Sequence, residues 1–202
     1  MITADDSERL AGAIRDAEAH TAGEIVVVLA AQAGGYRSVP VLWALLAALV
    51  APWPLIWITT LGPSRIFQIQ LVVALVLSIV LSLPKRRYRL VPGFIKRSQA
   101  HEAAAREFVR RGLTRTRERT GVLIYVAAAE HYAEVLADTG IADRVDEQVW
   151  RDIVADLIDA IKAGQAPDGL VTAVHRVGAV LAEHAPPRAD DIDEFPNRVI
   201  VI

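Results

Sequence analysis

Two stretches of this 202-residue chain carry no charged residue, and they lie almost end to end. VLWALLAALVAPWPLIWITTL runs from Val41 to Leu61, and IFQIQLVVALVLSIVLSL from Ile66 to Leu83. Each is close to the roughly 20 residues that cross a hydrocarbon core. Only GPSR separates them, and so short a link predicts an antiparallel helical hairpin over residues 39–84. Two buried core helices are the competing assignment, and two such runs back to back argue against it. The composition agrees: 53% of residues are apolar and the mean hydropathy is +0.31, with the excess gathered here. Trp43, Trp53 and Trp57 lie in the first run, and Tyr36 and Tyr88 flank the pair, as suits residues that favour membrane interfaces. Pro52 and Pro54 predict a kink in the first helix, which a membrane helix tolerates.

Charge then predicts orientation. Lys85, Arg86, Arg87, Arg89, Lys96 and Arg97 follow the second run, whereas the link carries only Arg65. Basic flanks mark the cytoplasmic side. The expectation is an inner (cytoplasmic) membrane protein with two transmembrane helices and both termini in the cytoplasm. The basic segment 85–97 also suits anionic lipid headgroups, at about 1 kcal/mol per basic residue near the surface. A nucleic-acid patch is the rival reading. The bilayer alongside and the acidic remainder disfavour it: residues 120–202 carry fifteen acids against six bases. Neither apolar run contains Asp, Glu, Lys, Arg or His, so the hairpin reads as an anchor rather than a conduit. Ala44, Ala47, Ala48 and Ala51 form a small-residue face that suits self-association. The start, MITADDSERL, lacks the basic and apolar segments of a cleavable signal peptide. The chain has no Cys, which excludes disulfides, thiolate metal sites and a Cys nucleophile.

The polar parts read as one interrupted α/β domain. Residues 1–36 hold a helix, capped by Thr3 or Asp5 and stopped by Gly23, with Leu10, Ile14 and Ala17 as its apolar stripe. EIVVVLA (Glu24 to Ala30) is a buried strand. One helix and one strand make no core, so their partners must come from residues 98–202. There the pattern predicts a helix over 98–119 and strands over Gly121 to Ala127 and Tyr132 to Asp138. Two helices follow, over 145–163 and 168–183, then an acidic tail and RVIVI as an edge strand. The first two strands, joined through a crossover, should be parallel, and the third antiparallel to the second. The result is an α/β fold with a mixed β-sheet layered with helices, interrupted by the hairpin.

The stretch AEHYAEVLADTGIADRVDE is the richest in chemistry. Glu130, Asp138, Asp143 and Asp146 are oxygen ligands of the kind that Ca²⁺ or Mg²⁺ prefers. Asp138 ends a strand beside Thr139 and Gly140, where α/β sheets often place functional groups. The competing assignment is that Asp143 or Asp146 caps the next helix and the others are solvated. His101 and His131 near carboxylates offer acid or base chemistry, although helix-end and surface histidines are commoner. Thr116 and Thr120 among Arg115, Arg117 and Arg119 offer a phosphate contact, against a plain basic helix end. No phosphate loop or nucleophile elbow is present.

The segments TAGEIVVVLA, AHEAAAREFVRRGLTRTRERTGVLIYV, the following AAAEHYAEVLAD, Trp150 and DGLVTAVHRVGAVLAEHAP together resemble the TPM domain family, in particular its bacterial integral-membrane branch with a hairpin inside the domain. The resemblance covers nearly the whole chain and implies the same mixed α/β sheet. It also implies roles from assembly or repair of membrane complexes to weak acid phosphatase activity and divalent-metal binding. Two features depart from typical members. The charge pattern places the domain in the cytoplasm, and there is neither a glycine-rich tail nor a dense Asp cluster in one loop. The expected function is therefore a membrane-anchored, non-enzymatic scaffold or assembly factor for other membrane proteins. A divalent-metal-dependent phosphatase-like hydrolase is the alternative.

Overall fold

The computed structural model describes residues 3–36, 38–83, 91–188 and 198–202. Lys85, Arg86, Arg87, Arg89, Tyr88 and most of the acidic tail lie outside the described residues. The chain forms two compact units, residues 1–33 with 97–202, and residues 34–96.

The first unit is built on strands buried on both faces. β1 (Glu24–Ala30) and β2 (Gly121–Ala127) are continuous apolar runs rather than alternating ones, which is the signature of parallel strands covered on both sides. They pair in parallel from Glu24 opposite Gly121 to Ala30 opposite Ala127. β3 (Tyr132–Ala137) runs antiparallel to β2, and β4 (Val199–Val201) runs parallel to β1, giving the order β3-β2-β1-β4. RVIVI thus closes the sheet as an edge strand.

Alternate residues of each strand feed two different cores. Ile25, Val27, Val122 and Ile124 pack with α1 (Ala4–Glu18), α7 (Glu147–Lys162) and α8 (Ala166–His184). Val26, Val28, Leu123 and Tyr125 pack with Ala100, Ala104 and Phe108 of α5 (Gly93–Arg110). The unit is a mixed α/β sheet layered with helices, as its patterning predicts.

The helix ends differ from the expected ones for local reasons. α1 starts where expected: Thr3 and Asp6 form a reciprocal capping box. It ends at Glu18, before Gly23, because the chain is turned there by specific bonds. Thr21 Oγ1 donates to the carbonyl of Ala185 (2.6 Å), and Glu18 Oε1 accepts the N–H of Ile25 (2.8 Å). α5 begins at Gly93 and stops at Arg110, nine residues short of the expected end. Gly112 adopts φ +82°, and a 3₁₀ turn (Leu113–Arg115) then drops Leu113, fully buried, into the α5-side core. After β3 comes a short helix, α6 (Thr139–Ala142), that the periodicity does not predict.

The second unit contains α2 (Ser38–Val50), α3 (Pro52–Ile58) and α4 (Pro63–Leu81). Pro52 and Pro54 cannot donate to the helix ladder. Ala51 nevertheless keeps helical dihedrals (φ −53°, ψ −37°), so α2 and α3 continue as one segment, Ser38–Ile58. Ser38–Ile58 and Pro63–Leu81 are both long and apolar enough to cross a bilayer, each with mean hydropathy 2.1. α2 packs against α4, and its buried residues are Pro40, Ala44 and Ala48, one turn apart. Two of the four alanines expected to form a self-association face are therefore used inside the hairpin. Small side chains let the two backbones approach closely, and the short link makes the two helices antiparallel neighbours.

Two stability predictions follow from close approaches. A Cβ on Gly140 would lie 2.2 Å from the carbonyl oxygen of Glu118 and 2.7 Å from that of Arg119. Gly140→Ala should destabilise the protein by about 1–3 kcal/mol, the usual cost of overpacking, as read by denaturant unfolding in detergent. In the hairpin, Ala48→Leu should lower the thermal midpoint, whereas Ala47→Leu, on the exposed side of the same helix, should leave it within error.

Candidate functional site

The strand directions decide where a site can lie. In open α/β sheets ligands bind outside the carboxyl ends of the parallel strands. Here that is the end marked by Ala30 and Ala127. Glu130 lies just beyond it, 8% exposed. Its Oε2 accepts the N–H of Ala33 (3.0 Å), which ties the turn after β2 to the segment after β1. Its Oε1 is buried without a hydrogen-bond partner among the described residues.

Asp138 lies at the opposite end. The strand it follows is antiparallel, so the carboxyl end of β3 coincides with the amino ends of β1 and β2, and the N–H of Asp138 donates to the carbonyl of Gly121 (2.9 Å). Asp138 is therefore not at the ligand end of the sheet. Its Oδ1 accepts the N–H of Thr139 (2.8 Å) and caps α6, and its Oδ2 lies 3.5 Å from Nε of Arg119. Asp143 is exposed at the end of α6. Asp146 is the N-cap of α7, accepting the N–H of Gln148 (2.7 Å). The four carboxylates thus divide between two ends of the sheet and a helix start. Among the described residues no three His, Asp or Glu side chains converge to hold a metal ion. Hard cations such as Ca²⁺ take six to eight oxygens, and the one unpartnered oxygen of Glu130 does not meet that demand.

The threonines weighed as a phosphate contact, against a plain basic helix end, are used by the fold. Thr116 Oγ1 accepts the N–H of Thr120 (3.1 Å), and Thr120 Oγ1 donates to the carbonyl of Ala22 (3.2 Å). Of the basic residues expected at the membrane interface, Lys96 and Arg97 are described, both in α5. His131 is exposed in the turn before β3, at φ +52°.

One polar constellation has no counterpart in the residue patterning. Glu134 of β3 bridges two groups: its Oε1 is 2.8 Å from Nδ1 of His101 on α5, and its Oε2 accepts the hydroxyl of Tyr132 (2.9 Å). The geometry fixes the imidazole through Nδ1, with the ring 58% exposed. A carboxylate in that position orients a histidine ring. The spacing gave no sign of it, because His101 and Glu134 are 33 residues apart and meet only when β3 pairs beside α5.

Beneath this group two tyrosines are held neutral. Tyr125 is fully buried, and burial, then the negative charges of Glu130 and Glu107, push its hydroxyl up to about 12. Burial and the adjoining Glu134 raise Tyr132 as well. Glu107 is itself buried and compensated by Arg111 (2.9 Å) and Arg110 (3.4 Å). For Tyr125 the folded state holds its proton more tightly than the unfolded state, whose tyrosine ionises near 10. The stability it contributes is complete below that pH and is lost as pH rises from about 10 to about 12. An alkaline absorbance titration should show a late tyrosinate step that Tyr125→Phe removes. Unfolding midpoints should fall across the same interval.

Comparison with known proteins agrees with this architecture. The TPM domain matches residues 69–180, which is more than half of the chain. The match spans α5, β2, β3 and α7, and excludes α1 and β1, which the hairpin separates from the rest. The NMR structure of the BA42 protein from the psychrophilic bacterium Bizionia argentinensis is similar, with TM-score 0.62 and 23% identity over 100% of this chain and 96% of that one. At that identity the likeness is one of fold. No curated protein matches the chain. The matched sequence and the layered sheet lead to one assignment: the chain belongs to the TPM domain family.

Proposed function

We propose that this protein is a TPM domain anchored in the inner membrane by α2–α4. In this reading both termini are cytoplasmic, and the α/β unit serves as a non-enzymatic scaffold or assembly factor for other membrane proteins. The observation that carries it is the outer surface of the hairpin. Leu42, Leu45, Leu49, Trp57, Leu71 and Leu75 are all exposed, and α4 beyond Arg65 has no ionisable side chain. Each such side chain left in water would forgo roughly 1.5–3 kcal/mol relative to an apolar surrounding. A bilayer meets that demand along both helices at once.

The reading as a binding module rather than a hydrolase is supported by the use of the carboxylates. Asp138 and Asp146 cap helices, Glu107 pairs with arginines and Glu130 holds a loop. Among the described residues the side chains alone do not fit a divalent cation. The histidine at Glu134 has an orienting partner, and among the described residues no nucleophile is hydrogen-bonded to it. The alternative of a metal-dependent phosphatase is decided by assay.

Two measurements test the proposal. A reporter active only in the periplasm, fused in the Gly62–Arg65 link, should be active, and the same reporter at the C-terminus should be silent. The reverse pattern overturns the orientation. Purified full-length protein in detergent should show no phosphomonoester turnover with Ca²⁺, Mg²⁺ or Mn²⁺. Metal-dependent turnover that Glu130→Gln abolishes would make the protein an enzyme.

A further inference from the structure

Outside α2–α4, no large apolar side chain among the described residues is more exposed than Phe94, at 74%. An isolated exposed aliphatic side chain needs no explanation. A bare phenyl ring in a basic, acid-free segment does. Residues 85–97 contain six Lys or Arg and no Asp or Glu, and Phe94 lies among the last of these, with Lys96 two residues and Arg97 three residues on. On a helix, residues three apart are neighbours, so Phe94 and Arg97 share one exposed face of α5. Ser98 continues that face one turn further and is exposed as well.

The position in the chain narrows the partner. α4 ends at Leu81 and α5 begins at Gly93, so this turn follows the second apolar helix by only eleven residues. Aromatic rings favour the boundary between headgroups and acyl chains, and neighbouring cations favour anionic phosphates. We propose that the start of α5 is an interfacial lipid-binding element. Phe94 inserts at the headgroup boundary, and Arg97, with Lys96, contacts anionic phospholipid headgroups. The inference rests on the membrane placement of the hairpin argued above and adds a second, composition-dependent attachment that the hairpin does not supply. The buried residues Ala100, Ala104 and Phe108 lie on a different face of the same helix.

The absence of cysteine makes the test direct, since any introduced Cys is unique. A spin label at Ser98→Cys leaves Phe94 and Arg97 in place. The full-length protein is reconstituted in vesicles of phosphatidylcholine alone, or with one-third phosphatidylglycerol. Accessibility to oxygen, which partitions into lipid, is compared with that to a water-soluble nickel chelate. In the anionic vesicles the label at 98 should report a lipid-like ratio. A label at Val109→Cys, exposed near the other end of α5, should report a water-like one. Phe94→Asp should make position 98 water-like, and Arg97→Glu should reduce its interfacial population roughly fivefold per unit charge removed. A label at Val76→Cys in α4 reads the hairpin itself. If position 76 is lipid-like and position 98 is water-like in both vesicles, the inference fails and the anchor stands. If position 76 is water-like, the anchor fails first. A free phosphate site is excluded as the source if inorganic phosphate leaves the ratio at 98 unchanged, and implicated if phosphate abolishes the lipid-like signal.

Discussion

β1 cannot be satisfied by anything near it in sequence. It is buried on both faces, and its two ladder partners, β2 and β4, lie nearly a hundred and more than a hundred and fifty residues further on. Its edges and both faces are completed only after the hairpin has been made and the chain has returned. Closing so long a loop costs entropy that grows slowly with length, so the insertion is tolerable thermodynamically. It does make the sheet non-local, and non-local pairing is slow to form. Everything else in the α/β unit follows from that central pair. Alternate residues of β1 and β2 point to opposite faces, and each face requires its own helical cover: α1, α7 and α8 on one side, α5 on the other.

The same pair explains which parts of the fold were legible. β1 and β2 could be bounded to the residue because a continuous apolar run that begins at a Gly, Gly23 before β1 and Gly121 within β2, leaves little choice. The long helices of the α/β unit were legible in number but not at their ends. α1 is stopped by Thr21 reaching Ala185, far along the chain, and by Glu18 reaching forward to Ile25; α5 is stopped by a glycine whose left-handed conformation serves to bury Leu113. Such ends depend on tertiary partners and leave no local periodicity. α6 is four residues long, too short to show a period, and depends on the cap from Asp138.

The candidate site was legible in composition and not in place. Glu130 and Asp138 are eight positions apart, and reading them together assumes that the chain between them stays local. A single antiparallel strand intervenes, and it carries Asp138 to the far end of β2. The inference from strand end to ligand site holds for parallel strands alone, and β3 is not one. The contact between His101 and Glu134 was hidden for the complementary reason. Neither residue belongs to a recognisable motif, and their meeting depends on which helix covers which strand. In the hairpin, small residues one turn apart do predict a close helix contact. Composition does not say whether the partner helix belongs to the same chain, and the four-residue link decides that α4 takes the face of Ala44 and Ala48.

Several acidic groups of the α/β unit are occupied with backbone. Glu18 accepts the N–H of Ile25, Glu130 that of Ala33, Asp138 that of Thr139 and Asp146 that of Gln148. Hydrogen bonds from N–H groups to carboxylates are stronger than neutral ones, and they fix loops without long side chains or large apolar area. This suits a domain whose chain is interrupted, because the segments flanking the insertion have to be fastened at their ends. The fastening also consumes lone pairs that a hydrolase would keep for a cation or a proton. Glu130 shows the tension most sharply. One oxygen holds the segment after β1, and the other is buried with no hydrogen-bond partner among the described residues. An unpaired buried carboxylate oxygen costs free energy, and it persists only where the surrounding structure holds it in place. Here the surrounding structure is the turn after β2 and the segment that leads from β1 towards the hairpin. The constraint acts where the insertion begins: this single carboxylate fastens Ala33, the last residue of the α/β unit before the hairpin segment.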